Sequence, residues 1–558
     1  MDAWKKRAIG ISLLIIILGI FFIGNQIRTP RIHEKQLQEK GYPGGIYRKQ
    51  NQLKHLHIEG PEDDFSWIGC NLESLTIQSR KLQSLATLPT CLRKLHLINT
   101  NLRDLQGIDR LTDLEELTLE NNTSLVDLST LEKMSNLRTL EIRLDPRWVH
   151  TRMTKFPKAL PGLIHLHLEN ALLPRSSQLE SSPPDPFPTE GFTSLKSLFF
   201  DGAGGRNPVP EFSRLTNLNQ LEIVDFPLVT MPSLPGIHTL HLKNHRRLQS
   251  LDHLPESLTT LILTDNRLIS IDRIPSLPNL TSLTLIKTPG TVDDLSHLGS
   301  RVPNLETLKL EDLYSQRLSG LAQLSQLRTL HLIRLDRLQS LDFLAGLDLE
   351  ELVIESGGDL VAEKFTAIDK LNNLKVLRLE STRIETLDID IWPKLHFLDL
   401  VRNEELEPIA NLISQDTLET LTLDQNAQQI INSLEDLPPL KRLIWRGFHD
   451  LGINLALSNE VLLEFGEPGG DHIPLSLSSL RTVDLSNNDI PNLTRLADAT
   501  NLQNLTLYAT KIESLAALQN AASLKSLDLR YSKVRSLKEL PKNVEILFIS
   551  IRKDNPDP

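Results

Sequence analysis

Cysteine and aromatic residues are scarce in this chain of 558 residues. It has two cysteines, Cys70 and Cys91, and only 5% of its residues are aromatic. Two cysteines are too few for a disulfide scaffold, and they lack the C-x-x-C spacing of zinc and redox motifs. Its 60 lysines and arginines are outnumbered by 71 aspartates and glutamates, and the formal charge of −11 opposes the phosphate neutralisation that nucleic-acid binding requires. The composition therefore predicts no nucleic-acid partner.

Motifs of catalysis and cofactor binding are missing as well. The sequence contains no Walker loop, G-x-S-x-G elbow, H-E-x-x-H helix, kinase motif set or EF-hand loop. It also has no second region of ordinary composition that would encode a catalytic domain. We therefore predict that the protein is not an enzyme and uses no cofactor.

A long apolar run occurs only at the N-terminus. Residues 8–24, AIGISLLIIILGIFFIG, are uncharged and lie near the lower length limit for a membrane-spanning helix. They follow a short basic tail, residues 1–7, and no small-x-small cleavage pattern comes after them. Basic residues flank the run on both sides, so the charge count alone leaves the orientation open. We expect an uncleaved signal anchor in a single-pass bacterial membrane protein, with the remainder exported to the periplasm or the cell exterior.

Leucine dominates the rest of the chain in a recurring pattern. Segments such as LESLTI, LRTLHL and LQNLTL share the motif L-x-x-L-x-L, with the last position also open to other apolar residues. The motif starts at 23 places between residues 53 and 544. Within a strand, the leucines point to one side and their neighbours to the other. One repeat cannot bury its leucines alone, so the copies are predicted to stack into one parallel sheet. The unit at residue 460, EVLLEF, is degenerate and is assigned partly by spacing.

These repeats resemble the leucine-rich repeat family, in the form of 21 to 23 residues found in internalins and in a phosphatase regulator. The resemblance covers residues 53–549. It implies an α/β solenoid with a curved parallel β-sheet on the concave face and short 3-10 or irregular segments on the convex face. Residues 25–52 would then form a stalk or an N-terminal cap, and residues 550–558 a polar C-terminal tail.

The position after each strand favours small polar side chains, which satisfy buried backbone groups where the chain leaves the sheet. In the family, equivalent residues form a ladder inside the solenoid. Here they are Asn122, Asn266, Asn403, Asn426, Asn488, Thr100, Thr288, Thr382, Thr510 and Ser532. Repeats with Phe226, Leu313 or Leu335 at this position are expected to turn less regularly.

Two repeats are expanded, near residues 143–162 and at residues 172–194. The second expansion is rich in proline, which favours extended backbone. Insertions in repeat proteins project as loops and often bind partners. A flexible excursion without a role is an equally good interpretation.

We call the side of the sheet that carries the third, fifth and seventh residues of each motif the open sheet face. In LIHLHLEN, residues 163–170, these positions place His165, His167 and Glu169 outward in one row. Seven of the sixteen histidines occupy such positions: His55, His57, His96, His165, His167, His241 and His331. Uniform scattering would place about two there, in proportion to chain length. Histidine is polar and compatible with strands, but the enrichment also suggests binding that depends on pH near 6.

Acidic residues outnumber basic ones on the open sheet face. The acidic residues are Glu59, Glu116, Glu120, Glu141, Glu169, Asp201, Glu222, Glu311, Glu351, Glu355, Glu380, Asp399, Asp424, Glu464, Asp484 and Asp528. The basic residues are Lys94, Arg143, Lys243, Lys309, Arg378, Arg442, Arg446 and Arg530. Eight positive charges minus sixteen negative ones leave −8, which predicts a protein partner with a basic patch. Alternatively, the charge keeps a solvated face soluble.

The candidate binding residues combine these charged groups with aromatic anchors on the open sheet face. They are His55, His57, His96, Glu141, His165, His167, Phe199, His241, His331, Arg378, Phe397, Asp399, Arg442, Arg446 and Tyr508. His165, His167 and Glu141 also form the one candidate set for a metal, although Arg143 nearby disfavours a cation. We therefore expect no functional metal.

Cys70 and Cys91 lie just before the strands of adjacent repeats. Stacking would bring them within bridging distance, so a disulfide is predicted if the domain is exported. Two free thiols are the alternative.

Taken together, the sequence predicts a membrane-anchored repeat protein that binds a protein or a surface polymer noncovalently. One alternative, suggested by the resemblance, is a cytosol-facing subunit that holds an enzyme such as a phosphatase at the membrane. Another is a structural spacer or adhesin. The sequence leaves the oligomeric state and the partner's identity open.

Overall fold

The computed structural model of the protein describes most of residues 55–548. Residues 1–54 and 549–558 lie outside the described residues, as do internal segments, the longest being 174–184, 425–437, 447–459 and 466–479. The predicted anchor and the predicted stalk or cap therefore fall outside them. Within the part of the chain that is described, no helix is both long enough and apolar enough to cross a membrane.

The described chain forms two units. The first ends at Leu280 and the second begins at Thr281. Each unit is built from short strands that alternate with turns and 3-10 helices, as the sequence predicts.

The described residues of the first unit form ten strands of five residues, and each strand after the first pairs in parallel with the strand before it. Paired strands align the same motif positions, so leucine lies beside leucine. In chain order, β1 to β10 are His55–Glu59, Ser74–Gln78, Lys94–Ile98, Glu116–Glu120, Thr139–Arg143, His165–Glu169, Ser197–Asp201, Gln220–Val224, Thr239–Lys243 and Thr260–Thr264. Its 3-10 helices are Ile108–Arg110, Ser129–Lys133, Pro146–Trp148, Thr189–Gly191 and Phe212–Arg214.

The second unit contains thirteen strands. In chain order, β11 to β23 are Ser282–Ile286, Thr307–Glu311, Thr329–Ile333, Glu351–Glu355, Val376–Glu380, Phe397–Asp399, Thr420–Asp424, Arg442–Arg446, Glu460–Phe465, Leu480–Asp484, Asn504–Thr506, Ser526–Asp528 and Ile546–Phe548. One α-helical turn spans Leu298–Arg301. The 3-10 helices are Ser319–Gln323, Asp342–Gly346, Ala362–Lys370, Ile389–Ile391, Leu412–Ser414, Thr494–Asp498 and Ala516–Leu518.

The prediction of a uniformly parallel sheet is wrong at β19. This strand pairs antiparallel with both β18 and β20, and its register shifts between Glu464 and Phe465. The segment begins with Glu460 where the other repeats have an apolar residue, usually leucine. Without that residue, the motif does not fix the direction in which the segment enters the sheet.

The core of each unit consists of the leucine positions of the motif. In β4, for example, Leu117 and Leu119 are buried, whereas Glu116, Thr118 and Glu120 between and beside them are partly exposed. Full burial of a leucine side chain contributes about 1.5 to 3 kcal/mol. Stacked repeats therefore derive their stability from covering the leucines of their neighbours.

Both expanded repeats contribute phenylalanines to the core of the first unit. Phe156 from one expansion and Phe187 from the other are buried, with ring centroids 6.0 Å apart. Phe187 also contacts Phe192 at 4.9 Å and Phe200 at 5.7 Å. The prediction of a projecting loop is thus wrong for Phe156 and its neighbours. The backbone of Lys155 forms an isolated parallel β-bridge with Asp127 of the preceding repeat, and its N–H donates to Val126 O at 3.1 Å.

The predicted polar ladder is present in both units. Asn122 accepts bonds at Oδ1 from Thr100 N–H (2.8 Å) and Thr100 Oγ1 (2.6 Å), and its Nδ2 donates to Leu97 O at 2.8 Å. Asn403 repeats this pattern with Thr382 and Leu379 in the second unit. Buried asparagines thus satisfy backbone groups of the neighbouring repeat where the chain leaves the sheet.

One buried histidine occupies the ladder position between Phe226 and Asn266. The N–H of His245 donates to Asn266 Oδ1 at 2.9 Å. Its ring atoms Nδ1 and Nε2 lie 3.0 Å from Phe226 O and 3.1 Å from Ile223 O. A neutral imidazole carries one N–H, so only one of these two carbonyl contacts is a hydrogen bond at neutral pH. Burial lowers the pKa of His245, although the two carbonyl oxygens act in the opposite direction.

The residue before the ladder position, the eighth of each motif, adopts a left-handed backbone conformation in thirteen repeats. Its φ ranges from 47° at Lys287 to 61° at Asn244. Asp225, Asp312 and Arg334 are among these residues. They precede Phe226, Leu313 and Leu335, so the prediction that these repeats turn less regularly is wrong for this backbone angle. The apolar side chains are simply buried in place of the polar ones.

Candidate functional site

The strand register places the predicted binding residues of the first unit in one continuous row. Along the fifth motif position, Glu141 of β5 pairs with His167 of β6, and His167 pairs with Phe199 of β7. Farther along, Glu222 of β8 pairs with His241 of β9. Because each strand presents this position on the same side, these side chains share the open sheet face.

Four histidines of the open sheet face each contact a glutamate. Three lie in the first unit: His96 Nε2 lies 3.2 Å from Glu120 Oε2, His167 Nε2 lies 3.4 Å from Glu169 Oε2, and His241 Nδ1 lies 2.9 Å from Glu222 Oε1. In the second unit, His331 Nε2 lies 2.8 Å from Glu351 Oε1. The pKa of Glu120 and that of Glu351 are lowered, first by the hydrogen bond from the histidine.

Three carboxylates and one guanidinium lie together on β4, β5 and β6 of the open sheet face. Arg143 Nη2 contacts Glu141 Oε2 at 2.9 Å, and Arg143 pairs in register with Glu120 on one side and Glu169 on the other. One positive and three negative charges give these four side chains a net charge of −2. We call Glu120, Glu141, Arg143 and Glu169 the acidic patch.

An aromatic surface borders the acidic patch. The rings of His167 and Phe199 stack at 3.9 Å with 7° between their planes. Both side chains are partly exposed. The patch therefore combines charge with a flat apolar surface, which suits a cationic side chain or an aromatic one.

The second unit holds a different arrangement around Arg378. Its Nε lies 3.1 Å from Asp399 Oδ2, and its guanidinium lies 5.5 Å from the ring centroid of Phe397. Asp399 is only 1% exposed although it occupies the open sheet face. Asp201 and Asp528 are also buried there. The charge count from the sequence therefore overstates the number of carboxylates in contact with solvent, because it treats every carboxylate on this face as exposed.

Tyr508 belongs to a small cluster near the end of the second unit. Arg530 lies 5.5 Å from the Tyr508 ring and forms bonds of 2.6 to 3.1 Å with Asp528. Tyr531, 56% exposed, contacts Tyr508 edge-on at 5.2 Å. Sequence reasoning missed Tyr531 because it occupies the eighth motif position rather than the third, fifth or seventh.

The remaining candidates do not join these groups. His165 and Arg442 are exposed on strands β6 and β18. The side chains of His55, His57 and Arg446 lie outside the described residues. His165, His167 and Glu141 are not brought together as ligands, and no group of three or more His, Cys, Asp or Glu in the described chain is arranged to hold a metal ion.

Cys70 and Cys91 are free thiols in the structure. They lie in adjacent turns, as the stacking of repeats predicts, with Cys70 Sγ 3.9 Å from Oγ1 of Thr90, the residue before Cys91. The disulfide stays a prediction.

Comparison with known proteins gives partial matches. A family described as the LRR domain of endo-beta-N-acetylglucosaminidase EndoS matches residues 70–182. The chain is 28% identical to human podocan-like protein 1 over 51% of its own length and 50% of the relative's length. It is 25% identical to mouse podocan over 46% of its own length and 38% of that relative's length. The chain thus spans half or less of these curated relatives.

A solved leucine-rich repeat protein of Leptospira interrogans is similar at 19% identity. The match covers 64% of this chain and 92% of that one, with a TM-score of 0.38.

Proposed function

Because the chain is a leucine-rich repeat protein, we propose that its open sheet face recognises a protein partner noncovalently and without catalysis. The acidic patch on β4, β5 and β6 carries this proposal, because three carboxylates there face a single guanidinium. Arg143 balances one of the three carboxylates. The surplus attracts a partner's lysine or arginine and steers its approach.

The bordering aromatic surface gives the partner a second kind of contact. Phe199 and His167 are stacked and partly exposed, so a side chain that covers them removes apolar area from water. Short, rigid strands hold both rings, and binding therefore costs little ordering of the protein. Many such contacts along a preformed surface add up to specific recognition.

Site-specific photo-crosslinking in the native host tests where the partner binds. A photoreactive amino acid replaces His165 on the open sheet face in one variant of the full chain and the exposed Gln106, which lies between strands β3 and β4, in another. We expect one defined crosslinked protein at position 165 and none at position 106. Crosslinking at 106 alone, or equal crosslinking at both positions, would contradict recognition by this face.

The histidine–glutamate pairs suggest that recognition depends on pH. Protonated His96 and His167 offset the charges of Glu120 and Glu169, and Arg143 and Glu141 also face these pairs. A basic partner would then bind more weakly at acidic pH, where histidine gains positive charge. Titration of the crosslinked partner between pH 5.5 and 7.5 tests this. Constant affinity would remove the pH-dependent part of the proposal and leave recognition intact.

We also propose that residues 8–24 anchor the protein in a membrane, with the repeats on the exported side. The uncharged apolar run after a basic tail supports this. Two C-terminal reporters distinguish the sides, one active only in the cytosol and the other only after export. Activity of the exported reporter supports the proposal, whereas activity of the cytosolic one would favour a regulatory subunit tethered at the membrane.

A further inference from the structure

Two cysteines lie side by side in the first unit, away from the open sheet face. The register of β2 and β3 pairs Ser74 with Lys94. Cys70 precedes Ser74 by four residues and therefore lies opposite Thr90, which precedes Lys94 by four. The distance of 3.9 Å between Cys70 Sγ and Thr90 Oγ1 agrees with this alignment. Cys91, the next residue after Thr90, is thus adjacent to Cys70.

Buried neighbours fix the two turns that carry the cysteines. Leu72 lies two residues after Cys70 and Leu92 directly after Cys91, and both are buried. The N–H of Phe65, in the turn before Cys70, donates to Thr87 Oγ1 of the next repeat at 3.2 Å. The packing of the two repeats therefore fixes the position of Cys70 relative to Cys91.

The two thiols differ in exposure and in acidity. Cys70 is exposed, whereas Cys91 is half-buried. A hydrogen bond from the Cys91 thiol lowers the pKa of Cys70. Burial, together with the contact with Cys70 and the charge of Asp113, raises the pKa of Cys91 to about 11. The accessible sulfur is thus the better nucleophile, and the shielded thiol supplies the proton that stabilises its thiolate.

We propose that Cys70 and Cys91 form a thiol–disulfide exchange site, in which Cys70 attacks a disulfide substrate and Cys91 completes the exchange. This assignment goes beyond a static bridge, because it gives the two sulfurs different roles. It is independent of recognition by the open sheet face, because both cysteines precede the motif positions that form that face.

The exchange takes place in two steps that balance. The Cys70 thiolate attacks one sulfur of a disulfide RSSR, the S–S bond breaks, and one RS⁻ leaves. Cys91 then gives up its proton and attacks Cys70 Sγ in the mixed disulfide, which releases the second RS⁻. Two cysteine thiols are oxidised to one disulfide, RSSR is reduced, and the two cysteine protons end on the two RSH products.

The product links the second and third repeats covalently. On an oxidising side of a membrane the pair would stay bridged, and in a reducing cytosol it would stay a dithiol. The oxidation state of this pair in cells therefore reports the side on which the repeats lie.

An aromatic disulfide that releases a coloured thiol is a suitable probe for the reduced full chain. With one equivalent of probe, we expect two coloured thiols per protein and an intact mass that shows an internal disulfide without an adduct. Cys91→Ser is expected to release one coloured thiol and keep the adduct. Cys70→Ser is expected to react slower by on the order of tenfold or more, since only the less acidic thiol remains. A wild-type product that keeps adducts on both cysteines would overturn the proposal.

The pH profile of the probe reaction tests the role of Cys91 as proton donor. Cys91→Ala removes one side-chain donor to Cys70 and leaves only the Thr90 hydroxyl beside it, so the rate is expected to rise at higher pH than in Cys91→Ser, whose hydroxyl still donates. Thr90→Val is the matched control for the neighbouring oxygen and is expected to keep the internal disulfide as its product. Identical profiles for Cys91→Ala and Cys91→Ser would contradict the assigned roles. The wild-type product requires no variant, so the proposal stays testable even if a substitution impairs folding.

Discussion

The two units meet the same backbone demand with different side chains. The eighth motif position is left-handed in both, a conformation that asparagine and aspartate tolerate far better than other non-glycine residues. The first unit places Asn99, Asn121, Asn170, Asp225, Asn244 and Asp265 there. The second places Lys287, Asp312, Arg334, Ser381, Arg402, Ala509 and Tyr531 there. The first unit follows intrinsic preference at all six of these positions, and the second overrides it at every one of its seven except Asp312.

Contacts explain how the second unit tolerates this choice. Arg334 bonds Asp312 at 2.7 and 3.0 Å and Glu355 at 3.1 Å, and it also contacts Glu311. Arg402 pairs with Glu380 at 3.2 Å. In the first unit, by contrast, Asn121 Oδ1 accepts from Asp145 N–H at 2.7 Å. At Asn121 a bond from the side chain to the backbone of the next repeat therefore supports the turn, whereas at Arg334 and Arg402 ion pairs between repeats support it.

The largest predicted effect concerns the ladder, which the two units share. Asn403→Ala removes the acceptor for Thr382 N–H and the donor to Leu379 O, and both buried groups lose their partner. We expect a loss of about 3 kcal/mol in the free energy of unfolding of the affected unit, at 1 to 3 kcal/mol per unsatisfied group. Asn122→Ala in the first unit should cost the same. Denaturant unfolding of both variants measures this, and a clearly unequal cost would show that the ladder is not equivalent in the two units.

The next largest effect concerns an arginine that occupies the eighth motif position in the second unit. Arg334→Ala removes the cation that Glu311, Asp312 and Glu355 share, and it keeps a residue unsuited to φ 49°. Lys309 still pairs with Glu311, and Lys287 with Asp312. Because Arg334 is 38% exposed and solvent screens each pair, we expect a loss of about 1 to 2 kcal/mol. Raising the salt concentration should shrink this loss. A loss that salt does not change would mean that packing of the side chain, rather than charge, supports the turn.

His245 makes the first unit sensitive to pH. Burial lowers its folded pKa below 6.5, so the unfolded chain binds the proton more readily, and stability is lost as the pH falls below 6.5. Asp225 and His241 are the titratable groups that act on it. His245→Asn should reduce the loss of unfolding free energy between pH 8 and pH 5, and denaturant unfolding at both pH values measures this. If the wild type instead gains stability on acidification relative to the variant, the two carbonyl acceptors outweigh burial.

The smallest predicted effect comes from exchanging alanine and asparagine at the eighth motif position of the two units. Ala509, with φ 54°, has no side-chain bond to offset its backbone conformation. Ala509→Asn should therefore stabilise the second unit by about 0.5 to 1 kcal/mol, and Asn244→Ala should destabilise the first by a similar amount. Thermal and denaturant unfolding compare the two. A neutral or destabilising Ala509→Asn would show that the left-handed turn carries no strain here.

The sequence predicts the repeating parts of the fold well. Leucine spacing places the strands and the buried side of the sheet, and the small polar residues predict the ladder at Asn122 and Asn403. These features follow from local periodicity, because the same residue pattern recurs in each repeat. The adjacency of Cys70 and Cys91 follows from the same regular stacking.

Features that break the repeat were not predictable in this way. Phe156 and Phe187 enter the core from two expanded repeats, although insertions in repeat proteins are expected to project as loops. The antiparallel β19 lacks the first apolar residue of the motif, and spacing carries no information on strand direction. Asp399 lies on a face that periodicity assigns to solvent, yet its neighbours bury it. Each depends on contacts between repeats that a single repeat's sequence does not contain.

The most direct test of recognition by the open sheet face is the affinity of the crosslinked partner for two charge-matched variants of the full chain. Glu141→Lys with Glu169→Lys reverses the acidic patch, and Asp252→Lys with Glu256→Lys makes the same change in charge between β9 and β10. We predict that the first pair weakens binding by at least about tenfold, with reduced dependence on salt, and that the second pair leaves it within about twofold. Equal losses for both pairs, or no loss for the first, would contradict the account.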